Sequence, residues 1–209
     1  MTLQAQQLAC TRGERVLFDA LELELHRGDA LRIAGNNGAG KTSLLRILSG
    51  LSTPNHGSVT WGGADIYGMR ELYHRQITYL GHLNGIKDDF TACENVLMAC
   101  KLAGMRIERK AVLSVLEQIG LGGQARLPTR VLSQGQKKRV ALARLPFCSA
   151  TPIWILDEPF VALDPDALQL LTTTINQHLE NHGMVVYTTH QDVSLAAARN
   201  LTINLAASC

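Results

Sequence analysis

The chain has 209 residues, of which 46% are apolar and 18% charged, with a formal net charge of +2. That length holds one domain, or one domain with a sizeable insertion, and the apolar share can fill a large core. A nearly balanced charge gives no basis for a nucleic-acid partner or an acidic one.

The opening, MTLQAQQLACTRGE, lacks the basic and apolar regions of a signal peptide. No apolar run approaches the roughly 20 residues that span a bilayer. Five cysteines (Cys10, Cys93, Cys100, Cys148, Cys209) form no C-x-x-C pair, so reduced thiols and a cytosolic chain are expected, with neither a disulfide framework nor a zinc site. Leu21, Leu23 and Leu25 alternate with Glu22 and Glu24, which predicts a strand with one wet face. ALRIAG (30–35) reads as a short buried strand and KTSLLRILSG (41–50) as a helix stopped by Gly50. SVTWGG and ITYLG read as further strands. From about Thr91 to Arg144 the pattern turns helical, through ACENVLMACKLAG, ERKAVLSVLEQIG and QKKRVALARL. Strand IWILD (153–157), helix 166–180, strand MVVYTT (184–189), helix DVSLAAARN and strand LTINL complete the chain. Strands alternating with helices imply an α/β fold with a mainly parallel sheet and right-handed crossovers. The expected division is an α/β core of residues 1–82 and 145–209, with an inserted α-helical subdomain at 83–144.

GNNGAGKT (35–42) fits G-x-x-x-x-G-K-[ST], with a buried strand before it and a helix after it. Gly35, Gly38 and Gly40 let the backbone turn tightly and, with Asn36, Asn37, Ala39 and Ser43, present N–H groups to phosphate oxygens. Lys41 is expected on the β- and γ-phosphates of ATP and the Thr42 hydroxyl on Mg²⁺. IWILDEP (153–159) ends a strand in two carboxylates that point differently. Asp157 is expected to reach the same Mg²⁺ and Glu158 to polarise the attacking water. TTH (188–190) brings His190 to the same sheet edge, where it would sense the γ-phosphate. The plain alternatives are a Gly-rich turn, an acidic turn and a structural histidine. LSQGQ (132–136) taken singly is a loop with a serine cap feeding a helix, and the following KKR (137–139) reads as a solvated helix face.

The ordered set of GNNGAGKT, LSQGQ, WILDEP (154–159), VALD (161–164) and TTH resembles the ABC-type ATPase family over nearly the whole chain. That resemblance implies a P-loop NTPase core and a homodimer in the ATP-bound state. In such a dimer Ser133, Gln134, Gly135 and Gln136 would close on the ATP of the other subunit, and Asp164 would belong to the dimer loop. YLGHLNGIKDDFTACENV, together with the motifs above, is similar to one subfamily, the ATP-binding subunits of bacterial cytochrome c maturation, long described as haem exporters. It implies integral membrane subunits as partners, a place at the cytoplasmic face of the inner membrane, and a role in haem delivery. The other readings are a subunit of a different small transporter and a nucleotide-gated dimerising module with little turnover; Glu158 argues against the last. Three departures stand out. No Tyr or Trp marks the adenine-stacking place, which falls near Arg12. His82 stands where the family carries a glutamine, and can accept through a ring nitrogen only when neutral. Nothing after the last strand suggests a regulatory domain.

Overall fold

The computed structural model describes residues 1–205; Cys209 lies outside the described residues. The chain forms two compact units. The first contains Met1–Gly81, Thr151–Pro159 and the chain from Asn176 onward; the second contains His82–Ala150 and Phe160–Ile175.

The first unit opens with an antiparallel hairpin, β1 (Leu3–Arg12) and β2 (Arg15–Leu25), followed by β3 (Asp29–Gly35) and α1 (Lys41–Leu48). Then come β4 (His56–Trp61), β5 (Ala64–Asp65), α2 (Arg70–His74) and β6 (Ile77–Leu80). After the helical segment the chain returns as β7 (Ile153–Leu156), the end of α6 (Pro165–Glu180), β8 (Met184–Thr188) and β9 (Arg199–Leu205). Two sheets result: an antiparallel one in the order β2-β1-β4-β5 and a fully parallel one in the order β6-β7-β8-β3-β9. Every residue of β7 and β8 is buried, as parallel strands covered on both faces require. Leu44, Leu45, Ile47 and Leu48 of α1 share one core with Leu3, Leu8 and Trp61 of the antiparallel sheet and with Ile33, Ile155 and Val186 of the parallel one. The helix carrying the phosphate loop is thereby fixed between the two sheets.

The second unit is built on α3 (Ala92–Leu102), α4 (Arg109–Gln118) and α5 (Gln134–Leu142), with the first part of α6. Thr91 and Glu94 form a capping box that starts α3. Ala92, Val96 and Cys100 recur every four residues and meet Val112 and Leu116 of α4 and Val140 of α5 in a separate core. No helix among the described residues is long and apolar enough to cross a membrane. Among the described residues, Cys10, Cys93, Cys100 and Cys148 form no disulfide.

Two sequence expectations change. The helical unit extends past residue 144 to Ala150 and takes in Phe160–Ile175, where Ala167, Leu170 and Leu171 of α6 line one cavity with Val115, Ile119 and Leu142 of the other helices. DVSLAAARN is not a helix. Its alanines favour one locally, but Asn176 Oδ1 accepts the Ala196 N–H (2.9 Å), the Gly28 carbonyl accepts the Ala198 N–H (2.9 Å), and Arg199 is held by both oxygens of Asp29. These bonds draw the segment out as the lead-in to β9.

His178 of α6 stacks on Trp154 of β7, with ring centroids 3.9 Å apart and planes 5° from parallel. The neighbouring Met184 N–H and Pro152 carbonyl bond to each other (2.8 Å), leaving both ring nitrogens buried and without partners. Burial lowers this imidazole from 6.5 to about 4. The folded chain therefore resists a proton that the unfolded chain accepts, and stability falls as pH drops from the ordinary histidine range towards 4. In chemical denaturation at pH 7 and pH 4.5, His178→Leu should shrink the acid-induced loss of stability by about 2 kcal/mol relative to the parent chain. An unchanged loss would show that His178 does not carry it.

Candidate nucleotide-binding site

β3 ends at Gly35, and the loop that follows re-enters as α1. Gly40 is the N-cap of that helix at φ +101°, and a Cβ there would sit 3.0 Å from the Leu17 side chain. Any other residue would be strained and crowded at once. The first turn of α1 has no side-chain cap and no acidic residue, so its N–H groups and the positive end of its dipole remain available to an anion. Lys41 Nζ donates to the carbonyls of Gly35 (2.7 Å) and Asn36 (3.3 Å), folding back over the loop.

Three elements meet at the carboxylates. The Thr42 hydroxyl, at the start of α1, donates to Asp157 Oδ2 at 2.9 Å. Thr188, closing β8, donates its hydroxyl to Asp157 Oδ1 at 2.8 Å and accepts the Glu158 N–H at 2.8 Å. Asp157 is thus buried and satisfied. Glu158 adopts a left-handed backbone, φ +49°, which is costly for a residue with a Cβ. That turn separates its side chain from that of Asp157. Glu158 Oε1 lies 3.4 Å from His190 Nε2, while Oε2 is buried with no hydrogen-bond partner. His190 Nε2 also lies 3.3 Å from Lys41 Nζ. A ring nitrogen either donates or accepts: protonated there it can serve Glu158, and unprotonated it can accept from Lys41. Among the described residues no cluster of three His, Cys, Asp or Glu side chains could hold a metal unaided. The Thr42 hydroxyl and Asp157 carboxylate are nevertheless hard oxygen donors of the kind that complete a Mg²⁺ shell begun by phosphates and water.

The LSQGQ turn belongs to the helical unit. Ser133 caps α5 by a reciprocal box: its Oγ accepts the Gln136 N–H (3.2 Å), and Gln136 Oε1 accepts the Ser133 N–H (2.9 Å). Two N–H groups are spent internally. Those of Gln134 and Gly135, with the Ser133 hydroxyl, are the donors left at this helix start. A Cβ on Gly135 would come within 2.8 Å of the Ala162 carbonyl, so only glycine permits this approach. Asp164 Oδ1 accepts the Ala167 N–H at 2.9 Å, capping α6, and Oδ2 lies 3.2 Å from Arg139. The KKR run is accordingly no free solvated face. Lys137 and Arg139 are half-buried and paired with Asp88 and Asp164.

The phosphate-loop residues, Asp157, Glu158 and His190 thus come together in the first unit, while Ser133–Gln136 and Asp164 adjoin in the second. His82 is exposed, at the first position of the helical unit. Arg12 is exposed and pairs across the hairpin with Arg15. It is Arg15 whose guanidinium borders the loop, 3.7 Å from where a Cβ on Gly38 would lie. Sequence reasoning passed over Arg15 and Thr188. The only signals were a second arginine in the same turn and the first letter of TTH.

The ABC transporter family profile matches residues 18–161. The cytochrome c biogenesis ATP-binding export protein CcmA of Nitrosospira multiformis is 46% identical over 94% of this chain and 95% of its own length. The protein of that name from Aromatoleum aromaticum is 49% identical over 93% and 91%, and the one from Haemophilus influenzae is 45% identical over 98% and 95%. The fold is that of an ABC transporter ATP-binding protein from Pyrococcus furiosus (TM-score 0.82, 22% identity, 98% of each chain). A dimeric bacterial ABC transporter cassette is equally close in fold (TM-score 0.82, 24% identity, 97% and 94% covered). With the family profile over most of its length and close relatives over nearly all of it, the chain belongs to the ABC transporter family, as an ATP-binding, ATP-hydrolysing subunit.

Proposed function

We propose that two copies of this chain sandwich two ATP molecules and deliver the energy of hydrolysis to integral membrane subunits of a cytochrome c biogenesis system. The work would be done at the cytoplasmic face of the membrane, with haem export or delivery as the task. The observation that carries the chemistry is the buried, unpartnered Oε2 of Glu158, beside an Asp157 already fixed by two hydroxyls. An orphan carboxylate oxygen in that place is a ready acceptor for a water proton. Names of relatives carry the biological setting.

In this reading the N–H groups of residues 38–43 surround the phosphates, and Lys41 moves from the Gly35 and Asn36 carbonyls to the β- and γ-oxygens. Thr42 and Asp157 would hold Mg²⁺, which neutralises charge on the phosphates when bound. Glu158 accepts a hydrogen bond from the attacking water. As the water oxygen bonds to the γ-phosphorus, the bond to the β–γ bridging oxygen breaks, and the water proton passes to Glu158 before reaching phosphate. His190 contacts the γ-phosphate. The second copy supplies the Ser133 hydroxyl and the N–H groups of Gln134 and Gly135, with Gln136 locking that turn and Asp164 in the adjoining loop. His82 takes the part of an acceptor.

Glu158→Gln removes the proton acceptor and keeps the shape. It should bind ATP, turn over at least about 100-fold more slowly, and run as a dimer in size-exclusion chromatography with ATP. Near-parental turnover would remove Glu158 from the role. Shared sites make a separate expectation. When Lys41→Ala and Ser133→Arg subunits are mixed, each heterodimer keeps one site with both halves intact, so activity should recover to about a quarter of the parent. A mixture as inactive as either variant alone speaks against sites completed by a second copy.

The membrane partner can be sought from the helical unit, where Leu83, Phe90 and Val131 are exposed apolar residues, Leu83 at 86%. Phe90→Cys, coupled to a photo-crosslinker in native membranes, should capture an integral membrane protein of the cytochrome assembly system. Capture of a membrane subunit of another transporter would move the chain to that system, and capture of soluble proteins alone would end the membrane reading.

A further inference from the structure

The helical unit contains a polar network for which the nucleotide chemistry has no use. Asn95 of α3, nearly buried, accepts the Lys87 N–H at 2.8 Å. Its amide hydrogens are shared among the carbonyls of Lys87 (3.0 Å), Phe90 (3.2 Å) and Thr91 (3.1 Å). The buried Thr129 hydroxyl donates to the Lys87 carbonyl at 2.9 Å. Backbone bonds from Thr129 to Phe90 (2.8 Å) and from Arg130 to Asp88 (2.9 Å) complete the attachment. Residues 87–90 are therefore a tethered loop with defined side-chain directions.

From that loop the Asp88 carboxylate receives Lys137 Nζ at 2.6 Å. Lys137 follows the LSQGQ turn directly and lies in the opening turns of α5, where the helix dipole disfavours a cation and the first turn has no acidic residue of its own. Asp88 supplies from outside the helix the opposite charge that this position needs. The Lys137 side chain is only 16% exposed while that of Asp88 is 64% exposed, so the lysine is held and the loop carboxylate is the accessible end of the pair. The turn is also held by the Gly135–Ala162 approach and by the Arg139–Asp164 pair.

We propose that Lys137 is a positioning residue: through Asp88 it fixes the LSQGQ turn to loop 87–90, so that any displacement of that loop resets the donors at the start of α5 and with them the rate of ATP hydrolysis. Lys137 does this without touching nucleotide, since its ammonium is engaged by Asp88. The proposal rests on the reading that the turn completes the site of a second copy.

Steady-state ATPase assays on the purified full chain test it. Lys137→Met and Asp88→Asn should each lower kcat about fivefold with KM within about twofold of the parent. Melting temperature should stay within about 2 °C, because an ion pair with an exposed partner adds little to folding. Lys137→Arg should keep turnover, and the reversed pair Asp88→Lys/Lys137→Asp should regain most of what either single reversal loses. Ser133→Arg serves as the reference. If it is inactive while Lys137→Met and Asp88→Asn turn over like the parent, or while the reversed pair is no better than its single changes, the strut is overturned and the turn keeps its role. If Ser133→Arg itself retains turnover, the role of the turn falls, and the strut falls with it.

Discussion

The arrangement of this chain depends on one chain of hydrogen bonds, from Thr42 to Asp157 to Thr188 to the Glu158 N–H. It joins the start of α1, the end of β7 and the end of β8, three points with no neighbourhood in sequence. Each oxygen of Asp157 receives a hydroxyl, which offsets the cost of burying a carboxylate and fixes its rotamer. The same Thr188 orients the Glu158 backbone, so strand spacing and the placement of both carboxylates are set together. The left-handed turn at Glu158 is tolerated because this surrounding structure over-determines it.

A different solution governs the LSQGQ turn. Its serine and second glutamine satisfy one another, and two of its following cations are taken up by Asp88 and Asp164. What the turn can offer an anion is therefore directional donors on a helix end, with most of the neighbouring side-chain charge already compensated. Such a surface attracts a phosphate at short range and gives little long-range pull on other polyanions. The near-neutral composition of the whole chain agrees with that economy.

The phosphate loop, Asp157, Glu158 and His190 were legible in the sequence because each sits at a strand end beside glycine, proline or a run of apolar residues that sets its context. β1 escaped notice because Gln4, Gln6 and Gln7 interrupt its apolar alternation, and its pairing is shifted by bulges around Leu8. The segment before β9 misled because alanine propensity is weak against four tertiary bonds. Thr188 acquires meaning only once Asp157 lies across from it. Arg12 and Arg15 differ only by which side of a hairpin they occupy. The Lys137–Asp88 pair joins a loop to a helix start that no local pattern connects.

The order of the parallel sheet has a consequence for biosynthesis. β3, the strand that launches the phosphate loop, is flanked by β8 and β9, both from the far end of the chain. As a nascent chain emerges, the antiparallel hairpin and α1 can collapse early, while β3 has no lateral neighbour. Closing such long loops is slow and entropically unfavourable, and it waits for β8 and β9. The site for nucleotide therefore cannot assemble before those strands are made, and a translation product stopped short of β8 would have its glycine loop without the sheet that shapes it.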